Sequence, residues 1–477
     1  MYSFVRNRAE YVIPMLCNHF GISPSDLEIS TEKKIVVSFN PDRAEVTFNG
    51  EVVSASGTEF VFEIEPGTTA NVTFTVNATA KEGYSISSIM FMPTVGESKS
   101  AQGNAAQFTV SSSGTLIINT KSNSAQSPVA GVQSGITASG HSSYYLTETG
   151  DLYAWGMNEN GILGVPGGGK ITMPTLVASG VAKVEVCHSN DCENNNNATM
   201  MAYLTLDGQL YTVGNNSAGQ LGRNGTATDD RAGLVKFDKK IVDISVGHDH
   251  LLVLDEEGVL WGVGSNTYGQ LGKRNDGGTT TTFQVVASNV KLIAAGRRNT
   301  FYTDANNTCY VLGDNRWQKF CKDAEKYNTP HKLLGNVAYM STGEHQIVLV
   351  TTSGDLYYAG WRTLNGWGQG QGAGGAVKLT GGVKKAVLHN SNMLILKTDG
   401  SVWGYGSNMG GALGSVNATS GTPGKMIAGG VKDIASGYQF SLFLFEDGTI
   451  QAQGDNTYGQ AGNGKAGGSV NMSQALF

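Results

Sequence analysis

Few residues in this chain could do chemistry. Cys187, His188 and Cys192 lie in the stretch Cys-His-Ser-Asn-Asp-Cys, followed by Glu193 and four asparagines. Thiolate and imidazole are zinc ligands, but a structural zinc takes four ligands in a tetrahedron, and only three candidates are local. The stretch reads as a polar surface loop, and no metal or other cofactor is expected. Cys309 and Cys321 could approach each other, but nothing in the sequence requires it. A glycine-flanked serine elbow, a phosphate-cradling loop and a His-Glu-x-x-His pair are all missing. Asp207, Glu257, Asp399 and Asp447 each precede a turn glycine, where hydrogen bonding to nearby backbone explains them. No catalytic residue is assigned, and the chain reads as a non-enzyme. Recognition is the better prospect. Trp317, Trp361, Arg362 and Trp367 fall in the stretches DNRWQKFCKDAEKYN and GWRTLNGWGQGQGAGG. Tryptophan and arginine dominate binding hot spots, so these four are the candidate site for a protein or glycan. The structural alternative is that the tryptophans fill gaps in a core.

A repeat must position them. Its unit is an apolar strand, a polar turn, a second strand and a Gly-rich close, as in AYLTLDGQLYTVGNNSAGQLG from Ala202 and LLVLDEEGVLWGVGSNTYGQLG from Leu251. The turn residues are Gly150, Gly208, Gly258, Asn307, Gly354, Gly400 and Gly448, 46 to 58 residues apart. Asp-Gly at such a turn is a hairpin signal, because the turn needs positive φ. A hairpin cannot bury both faces alone, so radial stacking of seven units predicts a β-propeller over 131–477. Trp261 and Trp403 share one strand slot and Trp155 lies two residues further along, which places all three in the core. The ring is expected to be closed by a strand from SVNMSQALF at the C-terminus or from SPVAGVQSGITASG at the start.

GQLYTVGNNSAGQLG and GVLWGVGSNTYGQLG resemble the regulator-of-chromosome-condensation repeat. The resemblance covers 131–477 and is weakest in the fourth unit. It implies a seven-bladed propeller. The family includes a chromatin-bound nucleotide exchange factor and the secreted beta-lactamase inhibitor protein II. The family's Gly-x-x-His survives as Gly247 and His250, while the slot holds Asn299, Gln346, Asn392 or Phe440 elsewhere. It reads as a polar ring near the channel, not as a site.

Residues 28–122 differ. Short alternating segments such as IVVSF, FVFEIEPG and NVTFTVNA, separated by Asn49-Gly50, Glu82-Gly83 and Ser113-Gly114, predict a small β-sandwich. PDRAEVTFNG, EPGTTANVTFTV and KEGY resemble immunoglobulin-like or PEGA-type modules, which implies a surface protein or bacteriophage appendage. Residues 123–130 are a linker. In 1–27 one helix is expected, about Val5 to Phe20. Its apolar residues Tyr2, Phe4, Tyr11, Ile13, Leu16 and Phe20 either pack on the sandwich or anchor the chain in an assembly.

Composition supports an all-β protein. Glycine makes up 65 of 477 residues and charged residues 15 %, against typical values of ~7 % and ~25 %. Glycine disfavours helices by about 1 kcal/mol per position. The net charge is −6, and no basic run exceeds two residues, so nucleic acid is excluded as a partner. No apolar run reaches the ~20 residues of a membrane span. Arg6, Arg8, Glu10 and Pro14 argue against a signal peptide. Five cysteines make no disulfide framework. Together these features predict a non-enzymatic bacteriophage virion appendage, a head or tail fibre. The N-terminal segment would meet other virion proteins, and the propeller loops a host-surface protein or glycan. A homo-oligomer is left open. The alternatives are a bacterial surface or secreted binding protein and a cytosolic exchange-factor-like protein.

Overall fold

The computed structural model describes residues 32–477 apart from 64–70, 94–98, 102, 123–127, 166–167, 188–199, 224, 227, 273–276, 317–319, 321–324, 361–374, 390–391 and 415–422. The expected helix and the anchor residues of 1–27 lie outside the described residues. Among these, regular structure is β-strand, with short 3-10 turns at Glu159–Gly161 and Met409–Gly411. The chain divides into two compact units, with the break between Gln126 and Ser127.

The first unit holds two sheets. In the five-stranded one, Glu32–Ser38 pairs antiparallel with Thr58–Glu63 and parallel with Gly114–Ser122. The other has four strands, with Ala44–Phe48 and Val72–Ala80 at its centre. Period-two alternation puts Ile35 and Val37 of one sheet and Val46, Phe74 and Val76 of the other into one shared core. Phe48 stacks on Phe60 at 4.2 Å and on Phe74 at 5.0 Å. Asn49 and Gly50 both take positive φ, +49° and +87°, as a two-residue hairpin requires.

The second unit is built of seven four-stranded antiparallel sheets. They span 135–178, 181–235, 241–287, 290–334, 337–380, 383–427 and 431–474. Each is a meander in chain order. The first strand of each sheet touches the first strand of the next, and the first strand of the seventh touches that of the first. The first strands therefore form a closed ring, as in a propeller. All seven predicted turn residues have positive φ, from +59° at Asn307 to +85° at Gly150. Among the described residues, a second repeated device closes six of the seven units. An asparagine side chain accepts the N–H of an apolar residue five positions on: Asn158 from Leu163, Asn216 from Leu221, Asn266 from Leu271, Asn315 from Phe320, Asn408 from Leu413 and Asn456 from Ala461. Those apolar residues are buried.

The C-terminal segment supplies the strand that completes the seventh sheet, and neither terminal segment is exchanged between sheets. Ser469–Gln474 is the last strand of the seventh sheet, and Gly135–Ser139 is the first strand of the first. The ring closes instead through contacts between whole sheets. Trp155 Nε1 and Ser143 Oγ both donate to the Gln460 carbonyl at 2.8 Å, and the Tyr438 N–H donates to the Gly140 carbonyl at 2.7 Å. Of the three tryptophans placed in the core, only Trp155 is fully buried. Trp261 and Trp403 are half-buried, with Nε1 donating to Asp255 at 2.8 Å and to Ser401 at 3.1 Å.

Candidate functional site

In an antiparallel meander, successive connections alternate between the two ends of the strands. The tight turns between second and third strands therefore lie at one end of the ring. The loops joining first to second and third to fourth strands lie at the other. Contacts across sheets bear this out. Tyr268 comes from a third-to-fourth loop and Arg298 from a first-to-second loop of the next sheet. The Arg298 guanidinium lies 4.5 Å from the Tyr268 ring centroid. Arg316 approaches the same ring to 4.7 Å.

This loop end collects charge. Arg316 Nε and Nη2 meet the two carboxylate oxygens of buried Asp314 at 2.9 and 3.1 Å. Buried Arg297 donates from Nη1 to Glu344 Oε1 at 2.9 Å, with His345 Nε2 3.5 Å from the same nitrogen. His248 Nδ1 lies 2.7 Å from Asp249 Oδ1. Burial works against the Asp249 carboxylate, but His248, His250 and Arg298 outweigh it and hold its pKa below the ordinary value. Where the first and seventh sheets meet, His141 packs on Tyr458 at 4.5 Å and on Tyr438 at 5.3 Å, with Asp455 3.6 Å away.

The inner strands also line a channel with a volume of about 380 Å³. Its first charged layer comes from the third position of the inner strands. There Lys183 pairs with Asp243 and Lys385 with Asp433, the latter at 2.6 Å. Glu185 adds a second bond to Lys183 at 3.0 Å. Burial opposes the charge on both lysines. Glu185 and Asp243 around Lys183, and Asp433 and Tyr339 around Lys385, reverse that and raise both pKa values. Lysine and carboxylate here satisfy each other. The layer braces neighbouring sheets and offers no poised acid or base.

Trp317, Trp361, Arg362 and Trp367 lie outside the described residues, so the structure brings no pair of them together. Trp317 follows Arg316 in the chain, and Trp361 follows Gly360, the last residue of the strand Leu356–Gly360. In the fourth unit the buried position under the closing loop is taken by Phe320, edge-on to Phe301 at 5.3 Å. His188, Cys192 and Cys321 are also outside the described residues. Cys187 is buried rather than exposed, and its carbonyl accepts Ser139 Oγ. Cys309 is buried against Met340, and burial pushes its thiol pKa up. The Gly-x-x-His slot is a set of buried braces. Asn299 Nδ2 donates to the Leu312 and Asp314 carbonyls, and Asn392 Oδ1 accepts Ser436 Oγ. Sequence reasoning missed Tyr268, Arg298 and Arg316. The signal lay in the two residues before each slot, which are His248-Asp249, Arg297-Arg298, Glu344-His345 and Tyr438-Gln439. They break the apolar pattern in unit after unit.

The model of the regulator of chromosome condensation (RCC1) repeat matches residues 207–254, and a second model of the same description matches 241–270 and 431–460. In fold, the chain is similar to yeast RCC1 (Prp20), solved bound to Kap60. The TM-score is 0.58 and the identity 17 %, over 68 % of this chain and 83 % of that one. The second unit shares the fold of that propeller and matches RCC1-type repeats at 207–270 and 431–460. A structure of Prp20p from Saccharomyces cerevisiae gives a TM-score of 0.55 at 19 % identity, over 65 % of this chain and 81 % of the other. Among curated proteins, E3 ubiquitin-protein ligase HERC2 of Mus musculus is 27 % identical over 350 residues, 66 % of this chain. The chain spans only 7 % of HERC2, a stretch that carries RCC1-type repeats here.

Proposed function

We propose that the chain is a non-enzymatic binding protein whose seven sheets act as seven blades and present the loop end to a macromolecular partner. One observation carries this reading. Loops from adjacent sheets place two guanidinium groups on one half-buried tyrosine at that end. Trp317 follows Arg316 in the sequence, and Trp361, Arg362 and Trp367 fall between the third and fourth strands of the next sheet. Loops on a rigid scaffold are where recognition residues concentrate. The setting we propose is a bacteriophage virion. There the propeller (131–477) would follow, in chain order, an anchoring segment (1–27), an immunoglobulin-like sandwich (28–122) and a linker (123–130). That setting rests on segment order and low charge in the sequence. A second reading, a regulatory interaction protein, is favoured by the fold shared with Prp20p, whose structure was reported with its binding to Gsp1p and histones.

Two experiments test these statements. Mass spectrometry of purified phage particles should find the chain, and its absence from particles removes the virion setting. Replacing Trp361 and Trp367 by alanine should leave the melting temperature within a few degrees. It should weaken attachment to host or partner by about tenfold, the loss expected of a hot spot. A variant that melts early and still binds would make the tryptophans structural.

A further inference from the structure

Three arginines at the loop end are held in different ways. Arg297 is buried and donates to Glu344. Arg316 meets both oxygens of Asp314. Arg298 is half-buried, and no described residue accepts a hydrogen bond from its guanidinium. Asp249, whose carboxylate feels the charge of Arg298, is engaged by His248 at 2.7 Å. The Arg298 group rests on the Tyr268 ring, 4.5 Å from the centroid, and Arg316 approaches the same ring. A guanidinium seated on an aromatic ring keeps its N–H edge available, and that edge fits a carboxylate through two parallel hydrogen bonds. The ring also excludes water from one side, which strengthens such a pair.

We propose that Tyr268, Arg298 and Arg316 form the docking point for a protein partner that places an aspartate or glutamate side chain in the Arg298 fork. Tyr268 supplies the apolar contact beside it, and Arg316, held by Asp314, keeps the ring in place. The proposal rests on the reading of the loop end as the binding surface. A nucleic acid fits this place less well. A phosphate backbone needs a continuous positive track, and here the three guanidinium groups stand among Asp249, Asp314 and Glu344. The chain as a whole carries a net charge of −6. A fork that no described residue occupies, set among balanced charges, selects a single carboxylate.

The test needs no known partner. A random peptide library is panned against the full chain, against Arg298→Gln and against the Trp361→Ala, Trp367→Ala double variant. All three proteins are first shown to melt alike. Peptides selected by the wild type should share an acidic position that disappears with Arg298→Gln. For one selected peptide, changing that acid to its amide should weaken binding about tenfold. The same change should have little effect against Arg298→Gln, because the pair is already broken. An acidic position that survives Arg298→Gln overturns the proposal. So does a library that yields no acidic position, or a selected peptide bound equally well after amidation. Enrichment that depends on Arg298 and not on the tryptophans keeps this docking point and removes the tryptophans from the binding surface. Enrichment lost only with the tryptophans does the reverse.

Discussion

His250 is fully buried at the start of its strand, with Nε2 3.3 Å from Thr300 Oγ1. Burial, only partly offset by Asp249, holds its pKa down to about 4, against an ordinary value near ~6.5. Between those values the unfolded chain binds the proton and the folded chain does not. Stability is therefore complete above about pH 6.5 and falls as the pH drops towards about 4. Urea unfolding at pH 7 and pH 5 should show wild type losing about 2 kcal/mol more than His250→Asn over that interval. Asp433 is a second position where one side chain has two tasks. It pairs with Lys385 at 2.6 Å and accepts the Ile136 N–H at 2.9 Å, across the junction of the last and first sheets. Gly135 makes this possible, since a Cβ there would lie 2.3 Å from Asp433 Oδ2. Asp433→Ala should cost about 2 kcal/mol or more in denaturant unfolding, because it strands a lysine that is mostly buried. Neither role was legible in sequence, where Asp433 is one more polar residue in an alternating strand.

Turn residues and closing loops belong to the scale of the element. Gly354 has φ +78°, and a Cβ there would meet its nearest neighbour only at 3.6 Å. Backbone conformation alone would then oppose a side chain. Gly354→Ala should lower stability by about 1 kcal/mol. Asn307→Gly, at φ +59°, should stay within about 0.5 kcal/mol of wild type. Chemical denaturation measures both. The last strand, Ser469–Gln474, pairs with Ile450–Asp455, and beyond it the Ala475 and Leu476 N–H groups donate to Ile450 and Gly462 at 2.9 Å. Deleting 469–477 uncovers a sheet edge and should lower the melting temperature by several degrees. An unchanged melt would mean the strand contributes little. The turns were readable in the sequence because positive φ admits few residue types. The Asn-to-apolar closing bond was not read, because its partners sit five residues apart within a loop of variable sequence.

At the scale of the molecule, the second unit closes into a ring of like interfaces. The last joins first and seventh sheets by the Trp155 and Ser143 bonds to Gln460, the Tyr438 bond to Gly140, and a Gly464 N–H to Thr172 carbonyl bond at 2.9 Å. A ring loses more than one interface when it opens, since each sheet leans on two neighbours. Trp155→Ala should cost about 3–5 kcal/mol. It should lower the whole propeller transition as one, seen as coincident shifts in near- and far-ultraviolet circular dichroism. A second, earlier transition confined to part of the signal would show that the sheets unfold singly.

By itself the sequence determined the class of this protein: all-β, built on seven repeats of a strand–turn–strand unit with another β-rich segment before it. Glycine spacing, Asp-Gly turns and period-two alternation are local, and local steric rules act on them directly. Tertiary structure decided what depends on residues far apart in the chain. It made the sheets complete within themselves and closed the ring by side-chain and backbone bonds between the first and seventh sheets. It sank the histidine slot and Cys187 into the interior. It also brought Tyr268 of one sheet against Arg298 and Arg316 of the next. Arg298 stands 30 positions from Tyr268 and Arg316 48, and only the radial packing of neighbouring sheets makes them one surface.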